Sequence, residues 1–328
     1  MTSGKWKSKL LSSGVPLEYE VAKELVRRGF SVASDFSYQR NDAPSDEDFS
    51  VDVDAFWLVP VVKGAGGSCS LTLLIECKYR HPGVAWLFLP DPNTGSLSFT
   101  TWGHKFRVVD SFSRWFVHRS AERFERHFVP CYKGVEVDID GGGVDDSRLR
   151  HGLYQLQYAL PALLAERIRS AAIENPIDNM PFMFLPILVT TAPLVVAKRG
   201  LNMRRLQSAN ALRDIGTEIP YVSVYVTTGS EFEKHVAAQC AGLPKRIETE
   251  TMREVEEQRR AAGASEYGLP SLVATCLAFG IADATLDRPF NQIVVCNFAF
   301  LGELLTLVKD EALRINNSVR LYPKGHKR

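Results

Sequence analysis

The clearest pattern in the chain is an apolar run from Leu71 to Tyr79, LTLLIECKY, which predicts a buried strand interrupted by one acid and one amine. Upstream, alternation returns from Phe49 to Val62, with KGAGGS as the turn between the two strands. Before them lies a helical pattern over residues 16–29, PLEYEVAKELVRRG. Pro16 suits the first turn, Gly29 suits the position just past the end, and Val21, Ala22, Leu25 and Val26 form the apolar stripe. Phe30 to Ala33 reads as a short strand and residues 40–48 as a polar loop.

Farther on, Leu149, Leu153, Leu156, Leu160, Leu163 and Leu164 recur at helical spacing, so residues 147–170 are expected to form a long helix that Pro161 kinks or breaks. A buried strand then starts at Phe184, another at Tyr221, a charged helix covers 231–262, and a strand followed by a helix starts at Asn291. Strands and helices alternate, which predicts an α/β fold with a mixed central sheet. Residues 81–148 fit this scheme poorly. They are aromatic-rich, with Trp86, Phe88, Trp102, Phe106, Phe112, Trp115 and Phe116, and 110–126 is a candidate helix. Such rings can stack on bases, but more commonly they fill a core. The whole chain reads as one domain: core motifs at 14–80 and 147–230, an insertion at 81–146, and a strand–helix extension at 231–328.

The candidate chemistry sits where the apolar pattern is violated. Side chains alternate along a strand, so Glu76 and Lys78 share a face. An acid and an amine inside an apolar strand are costly unless paired or employed. In SVDVDAFW, Asp52 and Asp54 share one face, and Val51, Val53 and Ala55 the other. Pairing of the two strands would bring an Asp close to Glu76, and two carboxylates attract a hard divalent cation. Glu18 precedes Val21, Ala22 and Leu25 by three, four and seven positions, so it shares the inward stripe of the first helix, unlike Glu20 and Glu24.

A helix with Glu, a strand with Asp and a strand with Glu-x-Lys, in that order from Gly14 to Arg80, resemble the PD-(D/E)xK phosphodiesterase superfamily of restriction endonuclease-like and Mrr-type nucleases. Val51 stands where the family name has Pro. The resemblance implies a restriction endonuclease-like core and Mg²⁺-dependent hydrolysis of DNA phosphodiester bonds, with Mn²⁺ able to substitute. It implies Asp52, Glu76, Glu18 and the main-chain carbonyl of Cys77 as metal ligands and Lys78 as the catalytic lysine, which either takes part in proton transfer or acts only electrostatically. Asp54 competes with Asp52. A Gln from the following helix often joins such sites. Gln155 and Gln157 are both available, and Gln157 lies nearer the apolar stripe. Arg80 is an accessory candidate for phosphate contact. A role in bacterial genome defence or DNA processing is implied by the resemblance alone.

Composition narrows this picture modestly. The chain has 328 residues, 39 basic and 38 acidic, for a net charge of +1, which argues against indiscriminate coating of nucleic acid but leaves room for a local basic groove. The run Lys198, Arg199, Arg204, Arg205 with Met203 is either such a groove or a solvated helix face. Six cysteines without metal-ligand spacing, no apolar signal in MTSGKWKSKL and no long apolar run lead to the expectation of a cytoplasmic protein with no membrane partner. No P-loop motif occurs, so any ATPase or specificity subunit would be a separate chain. One site per chain favours a homodimer for cutting a duplex. Two alternatives stay open: a catalytically inactive nucleic-acid-binding or assembly protein on the same fold, and a protein–protein scaffold that uses the aromatic insertion.

Overall fold

The computed structural model describes residues 5–40, 48–60, 69–93, 107–109, 122–173, 182–240, 257 and 290–319. Within them the protein is a mixed α/β structure, one large sheet with helices on both faces. Helices α1 (Lys5–Ser12) and α2 (Val15–Arg27) lead into the antiparallel strands β1 (Ser31–Gln39), β2 (Asp48–Leu58) and β3 (Ser70–Lys78). Next come β4 (Val84–Pro90), β5 (Arg107–Val109), α3 (Glu122–Glu125), β6 (Val129–Asp138) and β7 (Val144–Asp145). Helix α4 (Ser147–Ile173) returns the chain to β8 (Phe182–Thr190), which pairs parallel to β3. Strand β9 (Leu194–Ala197), helices α5 (Met203–Ser208) and α6 (Leu212–Ile215), and strands β10 (Gly216–Ile219) and β11 (Tyr221–Tyr225) follow. The described chain closes with α7 (Ser230–Cys240), β12 (Gln292–Asn297) and α8 (Leu301–Val319).

The strand order is β1-β2-β3-β8-β12-β11-β6-β4-β9-β10, with β5 beside β8 and β7 beside β6. The segment 81–146 therefore supplies β4 and β6 to the sheet itself. Trp86 and Phe88 of β4 are fully buried and serve the core. Trp102, Phe106, Phe112, Trp115 and Phe116, and the expected helix before residue 122, lie outside the described residues.

Two apolar layers hold the sheet. On one side, α4 contributes Leu149, Leu153, Leu156, Leu160, Leu163 and Leu164 to a cluster with Leu74, Leu188 and Ile293. On the other, α2 (Leu17, Val21, Leu25) and α8 (Leu304, Leu305, Val308, Ala312) cover Leu73, Ile75 and Ile187. Strands β3 and β8 are buried on both faces, as expected of strands with parallel neighbours under helices on both sides. Helix α2 ends as its sequence predicts, with Gly29 at φ 84° just past the last turn. Lys309 of α8 donates to the Arg28 carbonyl at 2.7 Å, and its ammonium lies 4.4 Å from the Trp57 ring.

Three local expectations need correction. Val26 is exposed and Leu17 takes its place in the buried stripe of α2. Strand β1 runs to Gln39 rather than stopping at Ala33. Helix α4 is not broken at Pro161. The ring removes one backbone donor there, but buried leucines before and after it bind both halves of the helix to the same sheet face.

The turn after β3 is fixed by a buried ion pair. Arg80 Nε lies against Glu136 Oε2 of β6, and Trp86 Nε1 donates to the same oxygen at 2.9 Å. Arg80 is 7% exposed. Removing one partner of a buried pair leaves an uncompensated charge, so Glu136→Gln is expected to lower stability by about 3 kcal/mol. Urea denaturation measures this. A loss near zero would mean that water reaches the Arg80 guanidinium.

Candidate active site

Glu18, Asp52, Glu76, Lys78 and Gln155 come together at the C-terminal end of β3, where α2, the β1–β2 hairpin and α4 converge. Glu76 shares the α4-facing side of β3 with Leu74 and is 1% exposed. Its Oε1 is paired with Lys78 Nζ, while its Oε2 has no hydrogen-bond partner among the described residues. Burial, reinforced by the nearby Asp52 charge and opposed by Lys78, pushes the Glu76 carboxyl up to about 7. Lys78 also donates to Gln155 Oε1 at 3.1 Å, and Gln155 Nε2 donates in turn to the Ser50 carbonyl at 3.2 Å. Thr190 Oγ1 of β8 donates to the Lys78 carbonyl at 2.8 Å, which fixes the backbone that carries the lysine.

Asp52 reaches this point from β2. Its Oδ2 accepts from the Cys77 backbone N–H at 2.6 Å. Burial raises its pKa, partly countered by that hydrogen bond and by Lys78. The β1–β2 register runs from Ser31–Phe56 to Ser34–Val53 and resumes at Phe36–Val51, so the Asp35–Asp52 level interrupts the ladder. Asp35 has φ 57° and is the only non-glycine residue with positive φ among those described. At this level the hairpin changes sides. Phe30, Val53 and Trp57 belong to the cluster under α2, whereas Phe36, Tyr38 and Val51 belong to the cluster under α4. The expectation that Val51 shares a face with Val53 and Ala55 is therefore corrected. Regular alternation fails where the left-handed residue turns the strand.

Glu18 lies on α2 facing the same region. Burial, then Asp52 and Asp35, raise its pKa, and Lys78 lowers it. Asp35 thus stands near Glu18 and Asp52, a position that an exposed strand residue does not announce in sequence. Asp54 is placed elsewhere. Burial raises its carboxyl, its charged neighbours are Arg167 and Glu166 of α4, and its Oδ1 is unpartnered among the described residues. Gln157 also points away, donating to the Val226 carbonyl at 3.4 Å. Gln155, not Gln157, is the glutamine beside Lys78. The apolar stripe that favoured Gln157 leads into the core, and the site lies on the neighbouring stripe. Arg80 is committed to Glu136. In the basic run at 198–205, Lys198 Nζ donates to the Asp214 carbonyl and Arg205 to the Gly200 carbonyl, which ties the loop to itself.

One further residue escaped notice. A Cβ at Gly152 of α4 would stand 2.8 Å from Leu188 Cδ1, 3.2 Å from Lys78 Cε and 3.5 Å from Glu76 Cγ. A lone glycine inside a helical pattern was the available signal of close approach. Gly152→Ala is expected to push the Lys78 stem and Leu188 apart. Relief of the glycine's helical cost offsets part of the overpacking, which runs to about 1–3 kcal/mol. The measurement is a thermal melt beside a crystal structure of the variant. An unmoved Lys78 would contradict the close packing.

Among the described residues, no group of three or more His, Cys, Asp or Glu side chains is arranged as a metal site. What the geometry offers a cation is one buried acid, Glu76, and one half-buried acid, Asp52, both with raised pKa values, with Glu76 Oε2 unpartnered among the described residues. Comparisons with protein families, with curated proteins and with solved structures find no match.

Proposed function

We propose that the protein is a metal-dependent nuclease of the PD-(D/E)xK type that hydrolyses DNA phosphodiester bonds. The observation that carries the reading is Glu76, a fully buried acid beside Asp52 with one oxygen on Lys78 and the other unpartnered among the described residues. A buried carboxylate is costly unless a cation or hydrogen bonds satisfy it. The order α2-β1-β2-β3-α4-β8, an antiparallel meander followed by a helix and a strand parallel to β3, fits the restriction endonuclease-like core.

Asp52, Glu76, Glu18 and the Cys77 carbonyl would hold Mg²⁺ or Mn²⁺. Such an ion supplies charge neutralisation at the phosphate and a more acidic bound water. The residues of the chain do the rest. Gln155 and Glu76 fix the Lys78 ammonium at the mouth of the site, where it stabilises negative charge that develops on the phosphate oxygens. The Cys77 N–H holds Asp52 in place, and Gly152 leaves room for the lysine stem.

The second reading, a non-cleaving nucleic-acid-binding protein on the same fold, is favoured by one observation: among the described residues the acids do not form a ready metal cluster. Titration calorimetry with Mn²⁺ separates the two. Saturable binding in the wild type that Glu76→Gln removes supports the nuclease. No binding, together with no cutting of DNA, leaves the non-cleaving reading.

A further inference from the structure

Two adjoining cavities open beside the candidate site. One, about 420 Å³, is lined by Gly14, Lys78, Tyr79, Ser147, Arg148 and His151 among others. The next, about 370 Å³, is lined by Lys7, Ser8, Leu11, His81 and Arg148 among others. They share Ser12, Tyr79, Arg80 and Arg148, so they form one groove running from Lys78 to α1. Among the described residues, no Asp or Glu lines either cavity. The chain as a whole is nearly neutral, at +1, so an acid-free groove is a local departure.

The state of the cations sharpens the point. Several surface cations elsewhere are matched by nearby acids: Lys23 by Glu20, Arg27 by Glu24, Arg150 by Asp146, Lys234 by Glu231. The hollow between α2 and α8 likewise sets Lys23, Arg27 and Arg28 against Glu20, Glu24 and Glu303. Lys7 and Arg148 form no ion pair or hydrogen bond among the described residues, and both are exposed. Of the two acids just before α4, Asp145 is turned onto the Ser147 hydroxyl and backbone N–H, and Asp146 lies against Arg150. Arg80, though part of the wall, is neutralised by Glu136. His151 is held toward its neutral form by burial, then by Lys78 and Arg40, so it offers a ring nitrogen rather than a charge.

Arg148, His151, Gly152 and Gln155 fall on one stripe of α4 at helical spacing. The helix that leaves room for Lys78 therefore also aims Arg148 into the groove. Helix α1 brings Lys7 to the far end and has no fully buried residue of its own.

We infer that this groove is a track for the phosphodiester backbone of a nucleic-acid strand, with Arg148 and Lys7 contacting successive phosphates beyond the one held at Lys78. The inference rests on the nuclease reading for its direction, but the groove can be tested without any cleavage. Such contacts position a strand and carry no base information.

The test is fluorescence anisotropy with labelled single-stranded DNA, the corresponding duplex and the corresponding RNA, in chelator, over a range of salt. Lys7→Ala and Arg148→Ala are each expected to weaken binding roughly three- to tenfold whatever the sequence. Each should also flatten the slope of log affinity against log salt by about 1. Arg148→Lys is expected to keep most of the slope, and Lys234→Ala, which removes a paired cation on α7, is expected to change nothing. Comparing the three nucleic acids shows which backbone the groove fits. Wild-type affinity in the two groove variants, an equal loss in Lys234→Ala, or no binding by the wild type to any of the three would overturn the inference. Because no metal is present, loss of the nuclease reading through failure to cut would leave these results standing as strand binding without cleavage.

Discussion

Lys78→Ala is expected to slow metal-dependent DNA cleavage by roughly 10²–10⁴-fold, the range for losing one positioned electrostatic or proton-transfer group. The fold and metal binding should survive. Lys78 stands at the end of β3 with its side chain 20% exposed, so its truncation opens onto the groove rather than into the core. The risk to stability is Glu76, which loses its cationic partner. A buried carboxyl without a cation takes up a proton instead of staying charged, and the Glu76 carboxyl already stands at about 7. The variant should therefore melt near the wild-type temperature at mildly acidic pH and bind Mn²⁺ more weakly only through that proton. Single-turnover cleavage and calorimetry on the same preparation separate chemistry from binding. A variant that cuts at the wild-type rate would remove Lys78 from the mechanism. One that fails to fold at any pH would make it a structural residue.

The second large effect concerns pH. The folded pKa of Glu76 is raised from 4.5 to about 7. The contribution of its protonated form to stability is therefore fully present below about pH 4.5 and is lost as pH rises through 7. The loss across that window is roughly 3 kcal/mol. In chelator, the wild type should lose stability between pH 5 and 8, and Glu76→Gln should lose less by that amount. The comparison is of slopes, so any constant cost from leaving Lys78 without its carboxylate cancels. Adding Mg²⁺ at pH 8 should raise the melting temperature of the wild type, since a ligand that binds only the folded state stabilises it. The variant should not respond. Parallel pH profiles would mean that Glu76 reaches water and ionises freely.

Much of the architecture was legible because it rests on local pattern. The α2 stripe, the LTLLIECK strand, the leucines of α4 and the alternation that makes a mixed sheet all follow from periods of 3.6 and 2. The Glu76–Lys78 pair was legible for the same reason, as two charges inside an apolar run. What failed depends on information that no local window holds. The left-handed Asp35 shifts the hairpin from one apolar cluster to the other, and only the register reveals it. Gln155 replaces Gln157 because the site and the core lie on adjacent stripes of one helix. Arg80 resembled a free phosphate contact until Glu136, on a distant strand, occupied it. The place of β4 and β6 in the sheet is likewise a matter of long-range pairing, hidden in a stretch whose composition points only to burial.

Asp52, Glu76 and Lys78 are proposed to form one hydrolytic site. This is tested most directly by incubating linear, circular and single-stranded DNA with the wild type and with Asp52→Asn, in Mg²⁺, in Mn²⁺ and in chelator. The expected result is cutting by the wild type in either metal, none in chelator, and none by the variant. Cutting that persists in Asp52→Asn, or that proceeds in chelator, would contradict the account.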